Sequence, residues 1–553
     1  MNKKILILFG VLAIALGCSK GGGTPDEPGG GGGGGTTPST YTISGTITGD
    51  DANPISGVVV SDGINCVKTN AQGKYYLPAD LSKTTYVFVS TPSGYSAPKA
   101  DGHAIFWKFL KDCTKGSNGK YDIPFTLNKI PNPDRFTIFI FADPQPRSSS
   151  ANLDKIAYHS LDVCQDMYLD MKEYAATMTD RPVYGICLGD VVHQATSLLP
   201  NYRTGMASTE RITTYNVIGN HDQGHKQNIT DKEAIKAFED VMGPCNYSFN
   251  LGGMHFLMLD NMIGGLDNSA TAYSDECKTG LSDEIWEFVQ NDLKHVPVST
   301  PLMVCAHSPM VQLQGGGLRS GAHLGDLRNL ISKYVKAYVW AGHTHTTFNY
   351  VDKSNPVIET HTLTRVAGQL WHNDYLGGNG TPRGYTVFEY SNGNVQWKFK
   401  PLYYQKAAWV GGTKPDYSLR DWDYDANGRA ILKSNGQNLD DSYQMQVFKP
   451  GTYSGENQNY VYVNVFLWDE LWNRPVFTTS ETQAIMQRVN PFYSLPDWQL
   501  ASFYHNKISD ISASTDNCSS MFRAYVDPES DVKTGKVSVK DRFGNTYNQT
   551  VSW

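Results

Sequence analysis

No stretch of this 553-residue sequence holds the run of about 18 apolar residues that a spanning helix needs. The longest apolar run, Ile5 to Leu16, falls short of that. Its nine cysteines include no C-x-x-C pair, which excludes the common zinc ribbons and thioredoxin-type redox motifs. Positive charge is not in excess either. The formal charge is −7, so nucleic acid is not expected as the main partner, because that would call for a basic face. No long internal repeat is visible. What is present is ordinary globular composition, 40% hydrophobic and 18% charged, with 32 Tyr and 11 Trp. At ~100–200 residues per domain the length suggests about three domains.

The first residues read as a targeting signal. Lys3 and Lys4 precede the apolar run, which ends in Ala15-Leu16-Gly17-Cys18. That ending resembles a bacterial lipobox with Cys18 as the lipidated residue, although the Leu sits at 16 and not at 15. Ten glycines between Gly21 and Gly35 cannot build a core and read as a flexible tether. Together these imply an exported bacterial lipoprotein of the outer membrane, periplasmic or surface facing, held to the membrane through Cys18. Export permits disulfides. Cys66 with Cys113, and Cys245 with Cys277, each share a predicted domain and could pair; spacing does not decide it. Cys187 and Cys305 lie inside apolar strands and read as core.

The organisation that follows is a signal over 1–18, a tether over 19–40, a β-rich domain over 41–131, an α/β domain over 132–400 and a second β-rich domain over 401–553. Short strands around 42–47, 57–60, 73–77 and 86–89, divided by Asp-Gly and Gln-Gly turns, predict a small β-sandwich. From Leu153 through Ile156, Cys164, Met167, Met171 and Tyr174, apolar residues recur at helical spacing. A second helix is expected after Ser282, a good N-cap. Alternating strands and helices imply a sheet with helices outside it. After about Pro401 only strands are expected.

Five motifs run in order through the α/β region: Asp143-Pro144-Gln145, Gly189-Asp190, Gly219-Asn220-His221-Asp222, Ala306-His307 and Gly342-His343-Thr344-His345. Several follow apolar strands, and a strand that ends in Asp, Asn or His delivers that side chain to the carboxyl edge of a sheet. Two Asp, one Asn, one Gln and three His, with a further His to spare, are too many donors for one divalent ion and suit two.

This ordered set resembles the calcineurin-like metallophosphoesterase superfamily, over roughly residues 135–390. The resemblance implies a four-layer sandwich of two mixed sheets flanked by helices. It also implies hydrolysis of a phosphoester by a hydroxide bridging two divalent ions, with Mn, Fe, Zn and Mg not distinguished. Asp143, Gln145, Asp190 and His345 would hold one ion, and Asp190, Asn220, His307 and His343 the other, with Asp190 as the bridge. His221 would stay unligated to protonate the leaving oxygen or stabilise the transition state. Asp222 would orient His221 by accepting its other N–H. Gln145 departs from the family pattern, which has His there; its amide oxygen is a weaker donor. The flanking β-rich regions resemble modules that accompany some exported family members.

Other residues are weighed individually. Arg147 either faces a phosphate oxygen or sits exposed on its loop. Trp371, His372 and Asp374 follow the last motif, where family members build the pocket wall. His193 and His225 are candidates for a supporting or substrate role. His255 and His159 read as structural. Asp260 and Asn261 either support the ligands or serve the fold. Gly380–Tyr385 reads as a turn. Two further readings stay open: a binding protein that keeps the domain as a scaffold, and a pyrophosphatase or nucleotidase sharing the same chemistry.

Overall fold

Residue alternation along one strand explains the layering. In Arg135–Phe141, Phe136, Ile138 and Ile140 point to one face and Phe139 and Phe141 to the other, as strand geometry requires. The first set joins a core that includes Phe256, Leu257 and Met258 of a second sheet. The second set packs under helices, against Met167, Met171, Tyr202 and Phe238. A strand buried on both sides reads as a nearly continuous apolar run, interrupted inside this one only by Thr137. The computed structural model describes residues 38, 40–147, 160–224, 229–264, 277–312, 317–351, 355–366, 379–402, 422–426, 429–433, 436, 438–453, 455–489 and 518–553.

The first central sheet has seven strands. Arg135–Phe141 pairs in parallel with Val183–Cys187, which pairs in parallel with Ile212–Asn216, and Gly384–Ser391 with Asn394–Pro401 adds an antiparallel edge. The second has six strands. Met254–Leu259, Leu302–Ala306, Ala337–Ala341 and Ile358–Thr362 run parallel in that order, with Tyr247–Leu251 and Phe348–Val351 antiparallel at the two edges. Both parallel blocks present their carboxyl ends to the same site. The helices Ser160–Ala176 and Asp283–Leu293 fall where the periodicity places them, the second capped by Ser282 accepting from Ile285 N–H at 3.3 Å. No helix among the described residues is long and apolar enough to cross a membrane.

The N-terminal strands form five- and four-stranded sheets around a small core of Ile43, Ile47, Val60, Tyr75 and Val87. Two short strands, Lys99–Ala100 and His103–Ala104, leave that module and extend the seven-stranded sheet, His103 pairing with Thr214. At the other end, two four-stranded sheets pack after Met445. The turn between Thr534–Lys540 and Thr546–Ser552 reaches back to the central sheet. There the Arg542 guanidinium clasps the buried Glu359 carboxylate at 2.6 and 2.8 Å and stands 3.2 Å from Asp469. Lys336 pairs with the same carboxylate. All eight described cysteines are free thiols, so neither Cys66–Cys113 nor Cys245–Cys277 is bridged.

Candidate metal centre

Each motif turns sharply at the end of its strand, and the turns carry the strain. Asp143, Gln145, Asp190, His343 and His345 all have positive φ, between 43° and 68°, and make up five of the twelve non-glycine residues that do among the described residues. Such conformations cost of order 1 kcal/mol each and collect where function demands a side-chain direction. The motif glycines have a complementary reason. A Cβ on Gly219 would lie 2.1 Å from Asp190 Oδ1, and one on Gly189, itself at φ +90°, 2.6 Å from His307 Nδ1. Glycine lets the backbone close onto the ligands.

Seven expected ligands converge. Asp190, His307 and His343 offer donor atoms within 4.8 Å of one another, and so do Asp143, Asp190 and His345. Asp190 belongs to both groups. His307 Nε2 stands 3.2 Å from Asp190 Oδ1 and 3.1 Å from Asn220 Oδ1, whose other contact is His343 Nδ1 at 3.0 Å. His345 Nε2 is 3.4 Å from Asp143 Oδ1. Gln145 Nε2 donates to Asp190 Oδ2 at 2.5 Å. His307 Nδ1 faces the Leu188 carbonyl at 2.7 Å, an arrangement that leaves Nε2 as the lone-pair donor.

This donor set fits divalent cations. Asp143 Oδ1 and Gln145 Oε1 are buried acceptors with no hydrogen-bond partner, and the family resemblance assigns both residues to one ion. Uncompensated acceptors are costly inside a protein unless a cation completes them. Electrostatics agree. Burial alone would raise the Asp190 carboxyl, but the imidazoles of His307, His221 and His343 hold it well below the usual carboxylate range. Burial would lower His307, yet Asp190 lifts it to about 9, a proton taking the place of a cation. Burial and then His307 push His343 down to about 3.

The neighbours divide more sharply than the motifs suggest. His221 lies beside the cluster and outside both groups, its N–H donating to Asp190 Oδ1 at 2.9 Å and its Nε2 3.9 Å from Asp190 Oδ2. Asp222 corrects the expectation that it orients His221. Its carboxylate accepts from the backbone N–H groups of Val191 at 3.1 Å, Val192 at 2.9 Å and Gly219 at 2.9 Å. The 3-10 turn Asn220–Asp222 points the Asp inward, where it ties the second and third motifs together. The ring packed on His221 belongs to His193, centroid to centroid at 4.0 Å and tilted by 31°. Asn261 grips Ser308, donating to its carbonyl at 2.7 Å and accepting its N–H at 2.9 Å, which fixes the turn after His307. His255 is structural, buried between Asn250 at 2.9 Å and Asp292 at 2.8 Å. Arg147 is buried, not exposed on its loop. Trp371, His372, Asp374, His159, His225 and Cys18 lie outside the described residues. Sequence reasoning missed Arg365, whose only signal is its place just beyond the strand Ile358–Thr362.

Comparison with known proteins adds the following. No curated protein matches the chain. A dimetal phosphatase from Danio rerio is similar at 14% identity, covering 48% of this chain and 96% of its own, with a TM-score of 0.34. A purple acid phosphatase from yellow lupin seeds is similar at 13% identity over 70% of this chain and 68% of its own, TM-score 0.32. A 5'-nucleotidase from Candida albicans is similar at 11% identity over 48% and 52%, TM-score 0.27. Two family descriptions match outright, the N terminal of calcineurin-like phosphoesterase over residues 41–130 and the C terminal of calcineurin-like phosphoesterase over residues 361–547. With both terminal modules in place on either side of the ligand-bearing turns, the chain belongs to the calcineurin-like phosphoesterases.

Proposed function

We propose that the chain hydrolyses a phosphoester at a centre of two divalent cations that share Asp190. The observation that carries this reading is the presence of Asp190 in both groups of converging donors. Two like charges held ~3.5–4 Å apart need an anion between them, and a carboxylate facing both groups supplies it. Asp143, Gln145, Asp190 and His345 would hold one ion; Asp190, Asn220, His307 and His343 the other. When bound, such ions polarise a phosphoryl oxygen and acidify a water.

The chain's own residues do the rest. His221, next to the cluster but in neither donor group, supplies the proton that the leaving oxygen needs. Asp222 keeps the Gly189 and Gly219 turns in register, so that Asp190 and Asn220 face each other. Arg147 is a candidate for contact with the phosphoryl group, and Trp371 and His372 for the pocket wall. The test is direct. The full chain, loaded with divalent metal, should turn over at least one of p-nitrophenyl phosphate, bis(p-nitrophenyl) phosphate and pyrophosphate. Chelation should abolish that turnover and added metal restore it. Failure on all three with metal bound would put the scaffold reading ahead.

Gln145 makes the two ions unequal. A neutral amide oxygen binds more weakly than imidazole, so the ion at Gln145 should leave first under mild chelation. Gln145→His should move that first step to higher chelator concentration; an unchanged step would mean that Gln145 is not a ligand.

The enzyme would work at a membrane, as an exported lipoprotein tethered through Cys18. Cys18→Ala should then move the processed protein from the membrane fraction to the soluble one. A variant that still pelleted with membranes would defeat that reading.

A further inference from the structure

Arg365 is buried beside the metal centre with no carboxylate at ion-pair distance among the described residues, while Asp143 and Asp190 act on its charge from further away. The segment Leu363–Val366 threads between two ligand-bearing turns. Leu363 N–H donates to the Ala341 carbonyl at 2.9 Å, Thr364 Oγ1 to the His345 carbonyl at 3.1 Å, and Val366 N–H to the Ala142 carbonyl at 3.0 Å. The Arg365 side chain is only 2% exposed. Its Nε makes a long contact of 3.4 Å to the Asp143 carbonyl, and its Nη1 is buried with no partner. Arg383, equally buried, meets Asp166 at 2.6 Å, and the half-buried Arg542 meets Glu359 at 2.6 Å. Among the described residues no carboxylate reaches Arg365 within ion-pair distance.

A buried carboxyl in that position could shed its charge by taking a proton, but a guanidinium cannot lose its own. A permanent buried charge that no carboxylate touches is a standing cost, and an anionic ligand reduces it. The charge also reaches the reacting side of the centre. Burial, followed by the charges of His221 and Arg365, pushes the His193 imidazole down to about 2, and that ring packs against His221.

We propose that Arg365 is the substrate-recognition residue of this centre and that it selects phosphate monoesters over diesters. The proposal rests on the two-cation reading. Two divalent ions would face only two carboxylates, Asp143 and Asp190, because Gln145, Asn220 and the imidazoles bind as neutral donors. Arg365 adds a further positive charge, and the sum favours a dianion. A monoester carries about −1.5 to −2 near neutral pH, whereas a diester carries a single charge. A monoester has enough non-bridging oxygens to face both cations and still meet the guanidinium fork with two of them, and a second ester bond takes one oxygen out of that set.

The test compares p-nitrophenyl phosphate with bis(p-nitrophenyl) phosphate, which share a leaving group, on the metal-loaded full chain. Wild type should show the higher kcat/KM for the monoester. Arg365→Gln should lower the monoester kcat/KM by roughly 10- to 100-fold, as loss of a charge-assisted hydrogen bond does. It should leave diester turnover near wild type, weaken inhibition by inorganic phosphate and leave metal content unchanged. Arg365→Lys, which keeps the charge without the fork, should recover part of the loss. Equal falls on both esters, or loss of metal, would make Arg365 a support for the Asp143 turn and overturn the proposal. A wild type that prefers the diester would overturn it without any variant. If the metal-loaded wild type hydrolysed neither ester but turned over pyrophosphate, this proposal alone would fall; if it hydrolysed none of the three, the hydrolase reading would fail and this one with it.

Discussion

Asp190→Asn is expected to strip the centre of metal and activity together. No other side chain belongs to both donor groups, and its oxygens face His307 Nε2 at 3.2 Å, Gln145 Nε2 at 2.5 Å and the His221 N–H at 2.9 Å. The substitution keeps the shape and removes the negative charge that both cations share. It also brings an NH₂ group among donors that need an acceptor. Loss of several kcal/mol of charge stabilisation, at 1.36 kcal/mol per tenfold, corresponds to a fall in turnover of roughly 10³-fold or more. Elemental analysis should show metal lost in parallel, and circular dichroism an intact fold. A variant that kept both metals and most of its turnover would show that Asp190 is not the bridge.

His221→Ala should separate chemistry from binding. Alanine retains the backbone N–H that donates to Asp190 Oδ1, so the ligand cluster keeps its geometry and its metals. Loss of the imidazole should lower turnover by roughly 10²–10⁴-fold, the usual worth of a general acid. The loss should be graded. A p-nitrophenolate leaves with little help, whereas an alkoxide needs its proton in the transition state, so alkyl esters should suffer most. A uniform loss across leaving groups would remove His221 from the proton-transfer role, and release of a metal would make it a ligand.

How far the sequence could be read depended on whether a feature was local. Asp143, Asp190 and His307 were legible because each ends an apolar run, and both parallel blocks deliver such residues to one edge. The helix Asp283–Leu293 was legible from its Ser cap and its period. The helix Asp231–Met242 carries a Thr230–Glu233 capping box, a local signal of the same kind as the Ser282 cap. The strand Thr546–Ser552 was hidden because its residues alternate only between exposed and half-buried, with little apolar signal. Asp222 misled because adjacency to His221 suggests a side-chain pair, whereas the turn aims its carboxylate at three backbone N–H groups. His103 joining Thr214, and Arg542 reaching Glu359, are long-range pairings that no local pattern announces. Arg365 stands in no motif; only its burial, with Nη1 unpartnered and no described carboxylate at ion-pair distance, marks it.

The central claim, two cations on a shared Asp190, is tested most directly by the metal content of the purified wild-type chain after loading and removal of free metal. The account predicts two divalent ions per chain, the first leaving at lower chelator concentration than the second. A ratio that saturates at one under the same conditions would contradict it.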